Sequence, residues 1–294
     1  MKERAPTLAL VAAAAVALLA LVETAVALTA GARVAPAADW EAAAAEVRAG
    51  FAPGDVIAFA PAWVDQIGRA HLGDLVTVEM AGRPDADRYA RVWEVSIRGA
   101  RADDAAGAQL VKESRHGQVR VALYEKSSAH VIFDFTARAD DARVTQTPGG
   151  APPTGANETP CYADAGPSWR CPGSRVERRT LEIDYRPRRG LLAQADSGRT
   201  THLGYSDVPL GATLVVYAGI HDYFARKNGN GVVDFTVVVD GKPLLTTRVA
   251  NADNWKRYDL DTRALAGGRH TVRFDLTAAD PAWRNLGFHA EARQ

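Results

Sequence analysis

The sequence has few cysteines, no surplus of charge of either sign, and none of the short motifs that mark common catalytic sites. Lysine plus arginine and aspartate plus glutamate each number 35, so the formal net charge is +0. Proteins that bind nucleic acid need a basic surplus to displace the counterions of the phosphates. The balance therefore argues against a nucleic-acid partner.

The missing catalytic motifs narrow the function further. The chain has no Gly-x-Ser-x-Gly elbow, no His-Glu-x-x-His helix, no Walker phosphate loop and no dinucleotide-binding glycine fingerprint. We therefore expect no cofactor and favour a non-enzymatic protein, although enzymatic activity stays open. Hydrophobic residues make up 47% of the chain, enough to fill a core, so a disordered protein is not expected.

The two cysteines lie close together, at Cys161 and Cys171, in a segment rich in proline and glycine. A structural zinc site needs four ligands, and no histidine or further cysteine lies in this loop. The pair therefore predicts a disulfide-closed loop near residues 161–171, no metal site, and an oxidising compartment.

The N-terminal segment, residues 1–33, predicts export. Lys2 and Arg4 precede an uninterrupted apolar run over residues 8–22, and a second apolar stretch over residues 25–30 follows Glu23. Counted together, the two stretches are long enough for a transmembrane helix; counted alone, the first has signal-peptide length, with small-residue cleavage sites at residues 25–27 or 30–32. Both alternatives place the bulk of the chain outside the cytoplasm, in the periplasm or at the cell surface, since the basic residues stay inside. We expect a single-pass membrane anchor or a cleaved signal.

The pattern over residues 38–126 predicts a small α/β layered domain. Asp39 can begin a helix that ends near Ala49, and the continuously apolar run at residues 55–60 is typical of a strand covered on both faces. Residues 62–72 predict a second helix and residues 102–115 a polar third helix. Strands are expected within residues 88–98 and 119–124, so helices and strands alternate.

Residues 127–294 predict an antiparallel, jelly-roll-like β-sandwich. Strand patterns follow at short spacing over residues 176–185, 213–218, 232–239, 244–249, 255–260, 270–277 and 286–292. Turn residues such as Asp240-Gly241 and Gly267-Gly268 separate them. The fold class is thus α+β, with an N-terminal transmembrane helix.

Three features within residues 232–288 carry a resemblance to a known class of proteins. They are a hairpin at residues 237–245, Trp255 at the start of a strand, and the Gly-Gly-x-His-x-Val-x-Phe run at residues 267–274. The region from Val232 to Phe288 resembles the galactose-binding-like and carbohydrate-binding-module class of β-sandwiches. The resemblance implies the fold and, for many modules of this class, a sugar ligand.

A second resemblance lies between Trp40 and Glu125. The run from Pro53 to Ile57, then Pro61, then residues 88–93, is similar to extracytoplasmic segments of dolichyl-phosphate-mannose-type glycosyltransferases. Those enzymes have many membrane spans and a catalytic acidic loop, which this chain lacks, so transferase activity is not implied. The resemblance implies a cell-envelope glycan setting, or a membrane glycosyltransferase as partner.

The candidate ligand-binding residues lie in one stretch after a strand. Aromatic rings can stack on the apolar face of a sugar while charged and amide groups bond its hydroxyls, and this stretch contains both kinds. The alternative is that its aromatic residues pack into the sandwich edge. The candidates are Tyr217, His221, Asp222, Tyr223, Arg226 and Asn228.

Other residues give weaker signals. Asp65, His71 and Asp74 follow the first strand, where an α/β sheet binds ligands, and are the alternative catalytic residues. Trp255 is expected in the sandwich core rather than as a binding platform. An arginine cluster could contact anionic lipid or glycan phosphate, or could be a solvated strand face. It comprises Arg178, Arg179, Arg186, Arg188 and Arg189.

These observations predict a membrane-anchored extracytoplasmic protein that binds or scaffolds cell-envelope glycan without catalysis. The alternative is an enzyme, or an accessory subunit, that acts on glycan or lipid-linked sugar at a site in the α/β domain.

Overall fold

A computed structural model describes residues 4–30, 34–82, 85–195, 198–221, 231–251, 253–278 and 284–294, with the side chains of the first helix described over residues 11–26. The chain forms two compact units. The first comprises Met1–Leu75 and Arg91–Lys126, and the second comprises Val76–Ala90 and Ser127–Gln294. The segment 76–90, which the sequence placed in the α/β domain, thus groups with the second unit.

The N-terminal helix α1 spans Arg4–Ala30. Its large side chains between residues 11 and 26 are exposed, among them Val16, Leu18 and Leu21. Within the described residues, no helix has both the length and the apolar character that crossing a membrane requires.

The rest of the first unit is a four-stranded sheet with helices packed on it. Helix α2 (Ala37–Gly50) packs on the sheet together with α3 (Asp65–Leu72). The strands are β1 (Asp55–Ala60), β2 (Arg91–Ile97), β3 (Gln109–His116) and β4 (Val119–Glu125), in the order β1-β2-β4-β3. β1 and β2 are parallel, and the other pairs are antiparallel. All six residues of β1 are buried, as predicted from its continuous apolar run.

The predicted polar helix over residues 102–115 is wrong. The second half of that segment is strand β3, which pairs with β4 through a tight turn at Gly117, whose φ is +55°. β3 is an edge strand and its side chains are largely exposed, so it carries no apolar alternation to distinguish it from a surface helix. The first unit is therefore a mixed sheet with a C-terminal hairpin, not a regular alternation of helices and strands.

The second unit is an antiparallel β-sandwich, as predicted. A short helix, α4 (Val78–Ala81), precedes its strands. The strands of its first half are β5 (Val131–Asp134), β6 (Arg143–Pro148), β7 (Thr159–Pro160), β8 (Tyr162–Ala163), β9 (Ser168–Cys171), β10 (Ser174–Ile183) and β11 (Arg186–Ala195). Those of its second half are β12 (Arg199–Pro209), β13 (Thr213–Ile220), β14 (Val232–Val239), β15 (Lys242–Ala250), β16 (Lys256–Asp261), β17 (Arg269–Ala278) and β18 (Arg284–Arg293).

The strands form two sheets around one apolar core. One sheet has the order β16-β13-β18-β11-β10-β9-β8, with β5 also pairing with β18; the other has the order β15-β14-β17-β12-β6-β7. Both sheets contribute rings to the core, where Phe135, Tyr205 and Phe274 make edge-to-face contacts and Phe288 lies beside Phe274. Such contacts add to the free energy of burial and fix the spacing of the sheets.

The predicted disulfide is confirmed. Cys161 and Cys171 are bonded, and they close a loop with a sequence separation of 10 residues. The bridge ties the start of this loop to β9, the strand next to the edge strand β8 of the first sheet.

Several strands of the sandwich were not predicted, and the two longest of them are β11 and β12. β11 opens with Arg186-Pro187-Arg188-Arg189, and β12 contains Gly204 and ends at Pro209, so neither shows a clean apolar alternation. Both lie inside their sheets, where hydrogen bonds from two neighbouring strands hold them despite low local propensity. β11 also places Arg188 on the face of its sheet that lies opposite the core.

Candidate functional site

The candidate site lies on the outer face of the sheet that contains β13 and β18. Leu214, Val216 and Ala218 of β13 belong to the core, so the intervening Tyr217 lies on the opposite face. The same alternation puts Arg188 of β11 and Arg257 of β16 on that outer face, and Tyr217 pairs with Arg257 in the ladder. Polar and aromatic groups from separate strands therefore meet on one surface.

These side chains line a cavity of about 320 Å³. The segment before β5 forms one wall, and the start of β11 with β13 and β16 forms the rest. The lining residues are Gly82, Asp85, Ala86, Asp87, Arg186, Pro187, Arg188, Tyr217, Trp255 and Arg257. A cavity of this size accommodates a small ligand such as one or two sugar rings.

Two aromatic rings flank the guanidinium group of Arg188. Its Cζ lies 3.9 Å from the centroid of the Tyr217 ring and 5.7 Å from the Trp255 ring. Trp255 is half-buried, and its Nε1–H donates a hydrogen bond of 2.9 Å to the carbonyl oxygen of Arg186. Trp255 thus belongs to the cavity wall, and the expectation that it lies in the sandwich core is wrong.

The carboxylate of Asp85 anchors the floor of the cavity. It accepts hydrogen bonds from the Tyr217 hydroxyl at 2.7 Å, from Arg293, and from Arg257 at 3.5 Å. Burial opposes ionisation of Asp85, but the hydrogen bonds from Arg293 and Tyr217 outweigh it and lower its pKa to about 2. Burial, the charge of Asp85 and the hydrogen bond to it raise the pKa of Tyr217 to about 12, so the hydroxyl stays a donor.

A buried polar cluster on β18 supports this anchor. Glu291 accepts hydrogen bonds from Arg293 and lies 2.9 Å from Nε2 of His289, whose Nδ1 lies 3.0 Å from the Thr136 hydroxyl. Burial raises the pKa of Glu291, but the interactions with His289 and the nearby arginines prevail and lower it to about 2. Arg293 therefore bridges Glu291 to Asp85 and fixes the cavity floor to the sheet.

The same cluster contains ligand-type atoms for a metal ion. Asp134, His289 and Glu291 bring their ligand atoms within 4.8 Å of one another. Arg88 lies among them, 3.1 Å from Glu291 and 3.7 Å from Asp134. Because an arginine already neutralises both carboxylates, the arrangement suits an ion-pair network better than a cation site.

The predicted ligand-binding residues have different outcomes. Tyr217 lies in the cavity wall, although it belongs to β13 and not to a loop. His221 follows β13 directly, is half-buried, and its backbone N–H donates to the carbonyl oxygen of Asn285 at 3.0 Å. The remaining candidates lie outside the described residues and stay predictions; they are Asp222, Tyr223, Arg226 and Asn228.

The alternative catalytic residues of the first unit are held by separate partners. Asp65 pairs with Arg69 one turn along α3, and Asp74 lies 2.6 Å from Arg48 of α2. The ring of His71 stacks on Trp40, with centroids 6.3 Å apart. None of these three residues lines the cavity on the sandwich.

A second cavity, of about 280 Å³, lies on the outer face of the other sheet. His202 in its wall lies 2.6 Å from Asp275 and 2.9 Å from the Thr147 hydroxyl. The aromatic residue in this wall, Tyr205, has only 1% of its surface exposed and donates its hydroxyl to the carbonyl of Phe135. No ring face is therefore available for stacking there, and the first cavity is the better ligand site.

Several site residues were missed by the sequence analysis. Asp85 precedes Tyr217 by 132 residues, and nothing in its neighbourhood marks it as a partner. Arg188 belongs to the arginine cluster, and Arg186 of that cluster also lines the cavity. The other three members have partners elsewhere: Arg178 bonds the carbonyl of Ala137, Arg179 pairs with Glu177, and Arg189 pairs with Glu79. These three are exposed, as expected of a solvated strand face.

Comparison with known proteins gives similarity to solved structures alone. No family model and no curated protein sequence matches this chain. Its fold is similar to a family 51 carbohydrate-binding module with its neighbouring domain from Clostridium perfringens ZmpB (TM-score 0.31, 18% identity, 40% of this chain and 28% of that chain). It is also similar to a family 51 module from a Clostridium perfringens GH95 protein in complex with methyl-galactose. The TM-score is 0.30, the identity is 11%, and the match covers 40% of this chain and 87% of that chain.

A third similar structure is a family 35 carbohydrate-binding module from Clostridium thermocellum, with a TM-score of 0.27, 10% identity, and coverage of 40% of this chain and 86% of that chain. These similar structures are carbohydrate-binding modules, the class of β-sandwiches that the sequence resembles. The second unit itself has the two antiparallel sheets that this resemblance implies. The resemblance of residues 40–125 to glycosyltransferase segments stays a prediction.

Proposed function

We propose that the sandwich unit binds a glycan in the cavity lined by Tyr217, Trp255, Arg188 and Arg257, without catalysing a reaction. The observation that carries this proposal is the combination, in one cavity, of a half-buried tryptophan ring with several charged hydrogen-bonding side chains. Sugar sites need this combination, because one face of a pyranose ring is apolar and its rim carries hydroxyls.

The two kinds of contact have separate sources in the cavity. The ring of Trp255 offers an apolar surface, and its orientation is fixed by the hydrogen bond to Arg186. Asp87 and Arg257, which pair at 2.7 Å, offer an acceptor and donors in the same cavity. A sugar stacked on Trp255 would direct its hydroxyls toward this pair, and because these groups are already ordered, binding costs little side-chain entropy.

We propose further that the chain acts in the cell envelope, with its bulk outside the cytoplasm. The disulfide between Cys161 and Cys171 supports an oxidising compartment, and the N-terminal apolar segment supports export. Whether that segment is a retained anchor or a cleaved signal is decided by N-terminal sequencing of the mature protein. Recovery of the chain in the cytosol with both thiols reduced would refute the envelope setting.

The binding proposal is tested with the full chain on an array of immobilised neutral and acidic oligosaccharides. Trp255→Ala should abolish binding, because it removes the stacking surface, while thermal unfolding confirms that the fold persists. Tyr162→Ala is the matched control: Tyr162 is an aromatic residue of the same unit, 73% exposed, and does not line the cavity. Binding that survives Trp255→Ala, or that never occurs with the unmodified chain, would contradict the proposal.

The enzymatic alternative is not proposed. Asp65 and Asp74 are each neutralised by their own arginine, and His71 is engaged by Trp40, so the three do not form an acid–base pair. A membrane glycosyltransferase as partner stays a prediction.

A further inference from the structure

Arg188 is the cavity arginine that forms no ion pair with a carboxylate of the described residues. Its guanidinium group contacts the Tyr217 and Trp255 rings, yet no carboxylate of the described residues lies within 4.0 Å of it. The acidic residues of the cavity are engaged elsewhere: Asp85 is bonded by Arg293 and Tyr217, and Asp87 lies 2.7 Å from Arg257.

The charge balance of the cavity wall agrees with this. The wall contains three arginines, Arg186, Arg188 and Arg257, against two carboxylates, Asp85 and Asp87, which leaves one positive charge in excess. Burial lowers the pKa of Arg188, and the attraction of Tyr217, Asp85 and Glu291 does not make up for the lost hydration. A half-buried guanidinium group without a counter-ion is costly, and a ligand anion would relieve this.

We propose that the glycan bound here is acidic, and that an oxyanion on the sugar, a carboxylate or a phosphate, binds to Arg188. The inference rests on the proposed glycan-binding function and specifies its ligand class.

The position of Arg188 favours this geometry. The guanidinium group of Arg188 lies over the Tyr217 ring, with its Cζ 3.9 Å from the ring centroid, and a cation–π contact of this kind leaves N–H donors for a ligand. Two parallel hydrogen bonds from the edge of a guanidinium group match the two oxygens of a carboxylate or phosphate group. Trp255 lies on the same wall, so a sugar ring can stack there while its acidic substituent reaches Arg188.

The test uses titration calorimetry on the full chain with matched sugars. Each of galactose, glucose and mannose is presented as an oligosaccharide in three forms: neutral, with the 6-carbon oxidised to a carboxylate, and with a 6-phosphate. At least one acidic form should bind roughly tenfold to a hundredfold more tightly than its neutral parent, as a hydrogen-bonded charge pair allows. Comparison of the carboxylate and phosphate forms identifies which oxyanion is preferred.

Variants assign the preference to Arg188. Arg188→Gln should remove the preference for acidic sugars, and Arg188→Lys should retain part of it because the charge remains without the planar fork. Arg189→Gln is the matched control: Arg189 is the next residue in β11, 77% exposed, and pairs with Glu79 at 3.5 Å. If Arg188→Gln fails to fold, Arg188→Lys against Arg189→Gln still decides the assignment.

Three outcomes separate this inference from the function on which it rests. A preference for acidic sugars that Arg188→Gln removes and Arg189→Gln leaves intact supports it. Equal binding of neutral and acidic forms, lost in Trp255→Ala, overturns it and preserves the binding function. Absence of binding to every form overturns both.

Discussion

Replacing Tyr217 by phenylalanine removes one hydroxyl from the buried network beneath the cavity and keeps the ring against Arg188. That hydroxyl donates to the ionised carboxylate of Asp85 at 2.7 Å. A hydrogen bond to a charged group contributes about 1.5–3 kcal/mol, so we expect the free energy of unfolding at pH 7 to fall by about 2 kcal/mol. Tyr205→Phe is the matched control, because its hydroxyl is also buried but donates to a neutral carbonyl, that of Phe135, at 3.0 Å. There we expect a loss of about 1 kcal/mol.

The pH dependence of this difference is a second readout. The pKa of Asp85 is depressed in the folded state, from 3.8 to about 2, so its stabilising contribution is present above pH 3.8 and is lost as the pH falls toward 2. The excess cost of Tyr217→Phe over Tyr205→Phe should therefore shrink between pH 4 and pH 2. Urea unfolding of the full chain, followed by circular dichroism at pH 7, 4 and 2.5, measures it. Equal costs at pH 7, or an excess that does not change with pH, would refute the assigned role of Asp85.

Two further predictions concern the sandwich itself. Replacing both Cys161 and Cys171 by alanine should lower the free energy of unfolding by about 3 kcal/mol, because the bridge closes a short loop in the unfolded chain. A free energy of unfolding equal to that of the disulfide-bonded protein would contradict this stabilising role. Gly190→Ala should lower it by about 1–3 kcal/mol, since the new Cβ would lie 2.7 Å from the carbonyl oxygen of Phe288. Gly204→Ala is the control, because its new Cβ would lie 3.7 Å from its nearest neighbour, the carbonyl oxygen of Arg143. If urea unfolding shows the same loss of stability for both variants, the packing argument is wrong.

The strands that could be predicted from the sequence are those in which apolar residues alternate with more exposed ones, so that one face of the strand is buried. In β14, Val233, Phe235 and Val237 alternate with less buried residues, and that alternation sets strand and register together. β3 and β11 lack it for opposite reasons. β3 is an exposed edge, and β11 begins with charged residues whose role is at the cavity and not in the core.

The candidate site could be predicted only in part, because its residues converge from distant parts of the chain. Tyr217 was found since it adjoins a polar and aromatic stretch, and the disulfide was found since only two cysteines exist. Asp85 and Arg188 come from a loop and a strand that no local pattern connects. Trp255 was misassigned because a tryptophan at a strand start fits a core as well as a surface; strand pairing alone decides its face.

The buried network beneath the cavity is better explained by ligand binding than by stability. Glu291, Arg293 and Asp85 form ion pairs with almost no exposure, and well-packed apolar residues in such positions often stabilise a protein equally well or better. What the network supplies is orientation: Arg293 holds Asp85, Asp85 holds the Tyr217 hydroxyl, and the Tyr217 ring holds the guanidinium group of Arg188. The two carboxylates of the cavity are hydrogen-bonded by other side chains, whereas Arg188 has no carboxylate partner in the described part of the protein. The cavity is therefore suited to a ligand that carries an anionic group.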